Sequence, residues 1–262
     1  MNIEQARVLS HKELSGGYKV LVLEVSSIAS TVKPGQFVHL RVPRLDDAVL
    51  RRPFSVFMAD EKKLSILYRC VGRGTRVMSV IAAGEEVSLI GPLGRGFPLD
   101  HTDTIPVLVA GGYGVAPIYF LASRFKVRST IFIGGSTAHD VLCVKNFSAL
   151  GLDVRVTTED GSLGEKGLVT DALDSWLKGC KASPAPEFYA CGPDGMLKAV
   201  GDRAIAGGWN AWLSLDKHMG CGVGACLACV QKVRLNDGAE TWARVCREGP
   251  VFESREIVWD NC

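Results

Sequence analysis

The sequence has little excess charge of either sign and no uninterrupted apolar run typical of a membrane anchor. Its 262 residues include 30 basic and 28 acidic side chains, which leaves a net charge of +2. This balance provides no basic surface for nucleic acid or an anionic membrane, so we expect neither as a partner. Residues 104–123 carry no charge over about the length of a bilayer span, but five glycines and prolines interrupt them. They therefore predict a buried strand, a glycine turn and the start of a helix.

The chain also lacks the features of a secreted or disordered protein. Its first residues contain no apolar run typical of a signal peptide, and we expect a cytoplasmic location. The nine cysteines are far fewer than the ~8–10% of residues found in disulfide scaffolds. Hydrophobic residues make up 47% of the chain and charged residues 22%, which excludes disorder and allows a large core without disulfides.

Hydrophobic periodicity divides the chain into three parts and predicts a multidomain protein. Residues 1–100 contain short strands of alternating apolar and polar side chains, such as Val38 and Leu40, which predict an antiparallel β-barrel or sandwich. In residues 101–212, apolar strands alternate with helical stripes, and this predicts an α/β domain with a parallel sheet. Residues 213–262 are rich in glycine and cysteine, follow neither pattern, and form a small third module.

The third module contains a closely spaced group of cysteines. Cys221, Cys226 and Cys229 lie within nine residues, and Cys246 follows after a further 16. This C-x4-C-x2-C…C spacing is that of plant-type ferredoxins, whose four thiolates hold a [2Fe–2S] cluster. The intervening glycines allow the tight turns that a short loop needs to wrap such a cluster. Structural zinc and unrelated buried thiols remain alternatives, although zinc sites favour paired C-x2-C elements and only one is present here.

Segments of the first part carry side chains suited to a flavin dinucleotide. Residues 50–56 place two arginines close to a hydroxyl, and an arginine fork fits the oxygens of a pyrophosphate. Residues 67–69 offer a ring for stacking and another cation. Residues 72–75 offer N–H groups and a hydroxyl at the start of a possible helix, which favours an anion. On a barrel that precedes a nucleotide-type domain, these features together predict FAD.

Two glycine turns in the second part are typical of nucleotide binding. Residues 110–117 follow a strand and open a helix, so the backbone can approach a diphosphate. Residues 191–194 close a later strand at the carboxyl edge of the sheet, where Cys191 is suited to contact a nicotinamide. A plain strand–helix turn and a small buried residue remain the alternatives. The loop 134–137 lacks an arginine for a 2′-phosphate, which favours NAD over NADP.

These motifs occur in the order found in the ferredoxin–NADP reductase superfamily. They are Arg52-Pro53-Phe54-Ser55, Gly111-Gly112-x-Gly114 and Cys191-Gly192-Pro193. With the cysteine run 219–230 and the segment 245–252, the chain resembles the electron-transfer subunits of class 1B dihydroorotate dehydrogenase over nearly its whole length. The resemblance implies FAD on the barrel, NAD(H) on the α/β domain and a [2Fe–2S] cluster on the third module.

The resemblance also assigns residues to each group. FAD contacts are expected from Arg52, Pro53, Phe54, Ser55, Leu67, Tyr68, Arg69, Gly74 and Thr75, and NAD contacts from Gly111, Gly112, Gly114, Cys191, Gly192 and Pro193. The cluster ligands are expected to be Cys221, Cys226, Cys229 and Cys246. Two departures stand out: Phe54 replaces a tyrosine common in the superfamily, and Tyr113 with Ala116 alters the glycine turn.

The resemblance further implies a partner, a catalytic subunit that holds FMN and oxidises dihydroorotate to orotate, in a heterotetramer with two chains of each kind. We expect electrons to pass from that FMN through the cluster and FAD to NAD+, in pyrimidine biosynthesis, with no catalytic side chain on this subunit. One alternative is an NAD(P)H-dependent reductase component that serves an oxygenase, a ferredoxin or a sulfur acceptor. Another is a zinc-stabilised binding module without redox chemistry.

Overall fold

The structure is a computed structural model that describes residues 1–45, 47, 49–99, 103–179 and 184–259. The predicted boundary at residues 100 and 101 lies outside these ranges. None of the helices in the described part of the chain has both the length and the apolar character needed to cross a membrane.

The first part of the chain forms a closed antiparallel barrel, which confirms the prediction from the alternating pattern. One set of alternate side chains from each strand fills its core, and Leu21, Leu23, Leu64 and Ile66 are fully buried there. The strands are β1 (Asn2–Glu13), β2 (Tyr18–Glu24), β3 (Phe37–Arg41), β4 (Arg52–Asp60), β5 (Lys63–Arg69) and β6 (Glu86–Leu93). They close in the order β1-β2-β5-β4-β3-β6, and two short helices lie in the connections, α1 (Ser27–Thr31) and α2 (Arg73–Met78).

The second part forms a mainly parallel sheet with helices between its strands, as the strand–helix alternation predicts. Its strands are β7 (Thr104–Gly111), β8 (Thr130–Gly135), β9 (Asp153–Thr158), β10 (Glu165–Lys166), β11 (Ala185–Cys191) and β12 (Ala211–Ser214). The helices are α3 (Val115–Ala122), α4 (Val144–Ala149), α5 (Val169–Gly179) and α6 (Asp194–Gly207). Val107, Leu108 and Val109 are fully buried in β7 because helices cover both faces of a parallel sheet.

The third part is joined to this sheet. Strands β13 (Val230–Arg234) and β14 (Glu240–Arg244) form a separate hairpin, and β15 (Val251–Glu253) pairs antiparallel with β12. The sheet therefore runs β10-β9-β8-β7-β11-β12-β15. Residues 212 and 213, on either side of the predicted boundary, both lie in β12. The short β12 and the returning β15 anchor the cysteine-bearing segment to the α/β domain.

The barrel and the sheet are packed together through α3. The rings of Tyr119 in α3 and Phe57 in β4 stack with centroids 4.8 Å apart. Just beyond α3, Arg124 donates a hydrogen bond from Nη2 to the carbonyl oxygen of Ala59 at 3.1 Å. These contacts fix the glycine turn that precedes α3 beside the barrel.

Candidate functional site

A cavity of about 470 Å³ lies where the barrel meets the carboxyl ends of β7, β11 and β12. This volume lies in the range of about 300–1,000 Å³ typical of small-molecule sites. We call it the flavin cavity, because its lining includes all nine residues to which the resemblance assigns FAD. Those nine are Arg52, Pro53, Phe54, Ser55, Leu67, Tyr68, Arg69, Gly74 and Thr75. Their contact with FAD stays a prediction.

The two neighbouring arginines have different surroundings. Arg51 donates from its guanidinium to the carbonyl oxygen of Ser88 at 2.8 Å and to the Ser88 hydroxyl at 2.9 Å, so it is engaged with the barrel wall at β6. Arg52 lines the cavity, and its side chain crosses Gly74 so closely that a Cβ there would lie 3.1 Å from Arg52 Nε. The glycine therefore leaves room for one guanidinium at the cavity.

Tyr68 forms a rigid part of the cavity. Its hydroxyl and Nε2 of His11 are 2.9 Å apart, while Nδ1 of His11 is 2.9 Å from the carbonyl oxygen of Ile81. Because that carbonyl accepts only, the proton is assigned to Nδ1, and Tyr68 donates to Nε2. Burial raises the pKa of Tyr68, so its hydroxyl stays protonated. The Phe54 ring meets the Tyr68 ring edge-on, with centroids 5.8 Å apart.

Two more of the nine residues are held by bonds within the protein. Arg69 forms an ion pair with Asp140, Nη1 to Oδ1 at 3.2 Å, and thereby links β5 to the loop after β8. The hydroxyl of Thr75 accepts hydrogen bonds from the N–H groups of Val71 and Gly72, both at 3.0 Å. The barrel side of the cavity is therefore ordered by the protein itself.

The two glycine turns meet at the carboxyl ends of neighbouring strands. Cys191 at the end of β11 pairs with Ala110 in β7. A Cβ at Gly114 would lie only 2.2 Å from the carbonyl oxygen of Cys191, so only glycine fits there. Gly192 has φ +159° and packs against Gly111. The structure thus brings together all six residues predicted to contact NAD, namely Gly111, Gly112, Gly114, Cys191, Gly192 and Pro193, and of these Cys191 lines the flavin cavity.

Cys191 is buried beneath this junction. Burial raises the pKa of its thiol to about 12, and the nearby Asp216 carboxylate acts in the same direction. The thiol is therefore neutral near pH 7. It can serve as a small uncharged wall of the cavity and is unsuited to act as a nucleophile.

The four cysteines of the third module form two pairs. The N–H of Cys226 donates to Sγ of Cys221 at 3.4 Å, and the N–H of Cys221 donates to Sγ of Cys226 at 3.4 Å. The N–H of Cys246 donates to Sγ of Cys229, also at 3.4 Å. Among the described residues, no three His, Cys, Asp or Glu side chains gather closely enough to hold a single metal ion. Two thiol pairs suit a centre with two iron ions, each bound by two cysteines.

The backbone of the cysteine loop, residues 220–229, points N–H groups at sulfur. Cys221 Sγ accepts from the N–H groups of Val223 at 3.5 Å and Ala225 at 3.2 Å. Burial acts to raise the pKa of Cys221, but these bonds, with those from Cys226, outweigh it and lower the pKa to about 6. Gly222 and Gly224 have φ of +70° and +86°, the left-handed region that this folding of the loop requires.

Strand β3 connects the cysteine loop to the flavin cavity. Phe37 lines the cavity, and His39 lies two residues further on the same face of the strand. A Cβ at Gly222 would lie 2.6 Å from Nδ1 of His39, so the loop packs directly on this imidazole. Burial, together with the charge of Arg51, lowers the pKa of His39 to about 4, and its Nε2 is buried without a hydrogen-bond partner. The neutral ring thus lies between barrel and loop, where it also forms a hydrogen bond with the backbone of Cys221.

The sequence analysis missed the residues that complete the cavity from the far side. Tyr113 was noted only as a departure from the superfamily pattern, yet its ring lines the cavity and its hydroxyl donates to Oδ2 of Asp216 at 3.0 Å. Met219 also lines the cavity, two residues before Cys221. The other missed lining residues are Phe37, Val71, Ala116, Ser214, Leu215 and Pro250. Little in the local sequence marks them, because they reach the cavity through tertiary packing.

A second cavity, of about 850 Å³, lies beside the cysteine loop against the β13–β14 hairpin. Leu227, Leu235 and Trp242 line it, and 62%, 48% and 62% of these side chains are exposed. Leu227 follows Cys226 and adopts φ +57°, a left-handed conformation that is unusual for leucine. We call this the apolar groove.

Two family models match the chain. The iron–sulfur cluster binding domain of dihydroorotate dehydrogenase B matches residues 216–258, and the oxidoreductase NAD-binding domain matches residues 108–202. Two curated relatives are electron transfer subunits of dihydroorotate dehydrogenase B (NAD(+)). The one from Desulforamulus reducens is 36% identical over 260 residues, which cover 97% of this chain and 98% of the relative. The one from Bacillus cereus is 37% identical over 258 residues, 96% of each chain.

Solved structures show the same architecture. A chain of an NADH-dependent reduced ferredoxin–NADP oxidoreductase, described in work on flavin-based electron bifurcation, superposes with a TM-score of 0.84 at 26% identity. The match covers 97% of this chain and 90% of that one. A ferredoxin–NADP+ reductase from Neisseria gonorrhoeae has a TM-score of 0.65 at 16% identity, over 78% and 91% of the two chains, and shows similarity of fold alone.

Proposed function

Because this chain belongs to the family of electron transfer subunits of dihydroorotate dehydrogenase B, we propose that it relays electrons between a dihydroorotate-oxidising catalytic subunit and NAD+ in pyrimidine biosynthesis. One observation carries the relay: Phe37 and Met219 line the flavin cavity, and the residues two positions after them, His39 and Cys221, belong to or contact the cysteine loop. The predicted sites for flavin, nicotinamide and cluster are therefore contiguous.

The groups bound at these sites supply the redox chemistry. The [2Fe–2S] cluster carries one electron at a time, and FAD holds one or two and exchanges a hydride with the nicotinamide. The protein contributes position, exclusion of water and control of charge. Its division into parts 1–100, 101–212 and 213–262 gives one part to each of the three groups.

The cysteine loop fits a two-iron cluster. Cys221 and Cys226 hold one iron, and Cys229 and Cys246 hold the other, in keeping with the two pairs of thiols. The N–H groups that already point at Cys221 Sγ favour its thiolate form at neutral pH. Hydrogen bonds to cluster sulfur stabilise negative charge and thereby raise the reduction potential.

The flavin cavity fits FAD through its charge and shape. The planar guanidinium of Arg52 offers paired donors for the pyrophosphate, and Gly74 leaves the space for it. Ser55 offers a hydroxyl to the flavin ring edge, and Tyr68 with Leu67 forms an apolar wall that excludes water. Phe54 offers no phenol, so flavin binding depends on its ring packing.

The glycine turns fit the dinucleotide co-substrate. Gly111, Gly112 and Gly114 let the backbone approach a diphosphate, and Cys191 contacts the nicotinamide at the end of the flavin cavity. The loop 134–137 carries no arginine, which supports NAD over NADP. The co-substrate then reaches the flavin from the side of the sheet.

The catalytic partner is a subunit that holds FMN, and two chains of each kind form the complex. The apolar groove supports docking next to the cysteine loop, because Leu227 and Trp242 are each 62% exposed there. Such a location brings the partner's flavin close to Cys226, the exposed member of the four thiols. The seven described cysteines are free, which supports a reducing, cytoplasmic setting.

The test is co-expression with a candidate catalytic subunit and an assay of dihydroorotate-dependent NAD+ reduction. Cys226→Ser is expected to abolish the coupled rate and the iron–sulfur absorbance, while Cys143→Ser, a thiol outside the loop, leaves both intact. Dihydroorotate oxidation by the partner with an artificial acceptor should persist in either variant. A Cys226→Ser complex that retains the full coupled rate would contradict the relay.

A second candidate is an NAD(P)H-dependent reductase that serves a ferredoxin, an oxygenase or a sulfur acceptor. The likeness to the NADH-dependent ferredoxin–NADP oxidoreductase, with a TM-score of 0.84 over 97% of this chain, favours it. The two candidates differ in the partner alone. Co-purification of this chain with an FMN-containing, dihydroorotate-oxidising subunit supports the first, and reduction of a ferredoxin by NADH without that subunit supports the second.

A further inference from the structure

The side chain of Tyr113 bridges two strand ends at the mouth of the flavin cavity. Tyr113 lies in the turn after β7, and its partner Asp216 lies just after β12. Between these strands in the sheet lies β11, which ends at Cys191. The hydrogen bond from the phenol to Asp216, 3.0 Å long, therefore crosses the carboxyl end of β11.

The bridge lies over the place proposed for the nicotinamide. Tyr113, Asp216 and Cys191 all line the flavin cavity, and the charge of the Asp216 carboxylate acts on the Tyr113 hydroxyl. Burial and the Asp216 carboxylate raise the pKa of Tyr113, so the phenol keeps the proton that the bridge needs. A nicotinamide that contacts Cys191 and a flavin in the cavity has to enter where this ring lies.

We propose that Tyr113 is a positioning residue that covers the nicotinamide place in the free protein, that Asp216 holds it there, and that NAD+ binds only after this hydrogen bond opens. The proposal rests on the proposed function, since it takes NAD+ as the co-substrate. Because 49% of Tyr113 is exposed, the ring has solvent to move into when the bond breaks.

The hydrogen bond between Tyr113 and Asp216 should lower the apparent affinity for NAD+, although neither side chain contacts NAD+ once it is bound. When only a fraction of molecules has the open ring, the apparent dissociation constant rises by the inverse of that fraction. The hydrogen bond from the exposed phenol to the carboxylate keeps the Tyr113 ring over the nicotinamide place in most molecules. Its loss is expected to tighten NAD+ binding by about threefold to tenfold.

The experiment measures NAD+ binding to the purified chain containing its flavin and cluster, by calorimetric titration and by stopped-flow association. Tyr113→Phe and Asp216→Ala are each expected to tighten binding by that factor through faster association, with dissociation unchanged. The double variant should bind no more tightly than either single variant, because both remove the same bond. Asp216→Asn should stay close to the wild type, since its amide oxygen still accepts from the phenol.

Tyr119→Phe is the matched control, because it removes the same hydroxyl group from a tyrosine nearby in the sequence. Tyr119 lies in α3, and its ring packs between Phe57 and Phe147. It should leave NAD+ binding unchanged. If the wild type and the control bind NAD+ while Tyr113→Phe binds it with unchanged or lower affinity, the proposal that Tyr113 covers the nicotinamide place is overturned. The proposed function then stands. Additive effects in the double variant also overturn the proposal about Tyr113. If neither the wild type nor any variant binds NAD+, the assignment of the nicotinamide site fails, and the proposed role of Tyr113 fails with it.

Discussion

The two walls of the flavin cavity are held in different ways. On the barrel wall, formed by β4, β5 and the start of α2 at residues 72–75, Tyr68 bonds to His11 and Arg69 pairs with Asp140. On the sheet wall, formed by the ends of β7, β11 and β12, the Tyr113–Asp216 bond is exposed. The barrel wall is thus ordered in advance for a group that stays bound, and the sheet wall can open for one that enters and leaves. Ordering in advance saves binding free energy, whereas exchange requires a bond that breaks easily.

The largest effect is expected from a side chain placed in the tight backbone contact between Gly114 and Cys191, under the sheet wall. In Gly114→Ala the new Cβ meets the Cys191 carbonyl at 2.2 Å, and backbone on both sides must shift. We expect the free energy of unfolding to fall by about 3 kcal/mol or more, measured by urea denaturation. Gly195→Ala is the control, because a Cβ there meets nothing within 4 Å. Equal stability of the two variants would contradict the tight contact between the turns.

A smaller effect, on the barrel wall alone, is expected from Gly74→Ala. Its Cβ would lie 3.1 Å from Arg52 Nε and displace the guanidinium. Because hydrogen bonds to charged groups contribute about 1.5–3 kcal/mol, a partial loss should raise the dissociation constant for FAD about tenfold. Flavin release followed by fluorescence measures it. Gly179→Ala, where a Cβ has open space and the residue lies outside the cavity lining, should retain FAD like the wild type. Unchanged retention in Gly74→Ala would remove Arg52 from the proposed site.

The ordering of the barrel wall is tested by Tyr68→Phe. The change leaves His11 Nε2 without its donor inside a partly buried pair, and we expect a loss of about 1 kcal/mol in the free energy of unfolding. Tyr119→Phe serves again as the phenol-to-phenyl control. If both variants unfold at the same urea concentration, the Tyr68–His11 bond contributes nothing to the stiffness of this wall.

The smallest effect is expected from an ion pair that lies next to the sheet wall, outside the cavity lining. Lys217 pairs with Asp194 at 2.8 Å, but half of the Asp194 side chain is exposed, and such pairs contribute little. Lys217→Met should lower the free energy of unfolding by about 0.5 kcal/mol or less. A loss of 2 kcal/mol would show that the sheet wall is as firmly held as the barrel wall, and the contrast between them would disappear.

The same contrast separates what the sequence could predict from what it could not. The barrel wall comes from short runs, 52–55, 67–69 and 74–75, so each run was visible as a motif. The bond between Tyr113 and Asp216 joins residues 103 positions apart. No local spacing indicates such a pair, because the order of strands in the sheet brings them together.

The fold and the cysteine loop follow the same logic. Alternation with a period of two predicted the barrel, and strand–helix alternation predicted the sheet. The sequence did not indicate that β15 would return to pair with β12, since three residues carry no periodicity. It predicted the four cysteines, but left out the contact of Gly222 with His39, which links the loop to β3. That contact depends on how the C-terminal part folds back onto the barrel.

The most direct test of the account is an anaerobic titration of the isolated chain with NADH, followed by visible absorbance and electron paramagnetic resonance. If flavin and cluster are contiguous in one chain, NADH should bleach the flavin and produce the resonance of a reduced [2Fe–2S] cluster, without a partner subunit. Dithionite defines full reduction. Protein that lacks flavin and acid-labile sulfide, or a cluster that dithionite reduces while NADH bleaches only the flavin, would contradict the account.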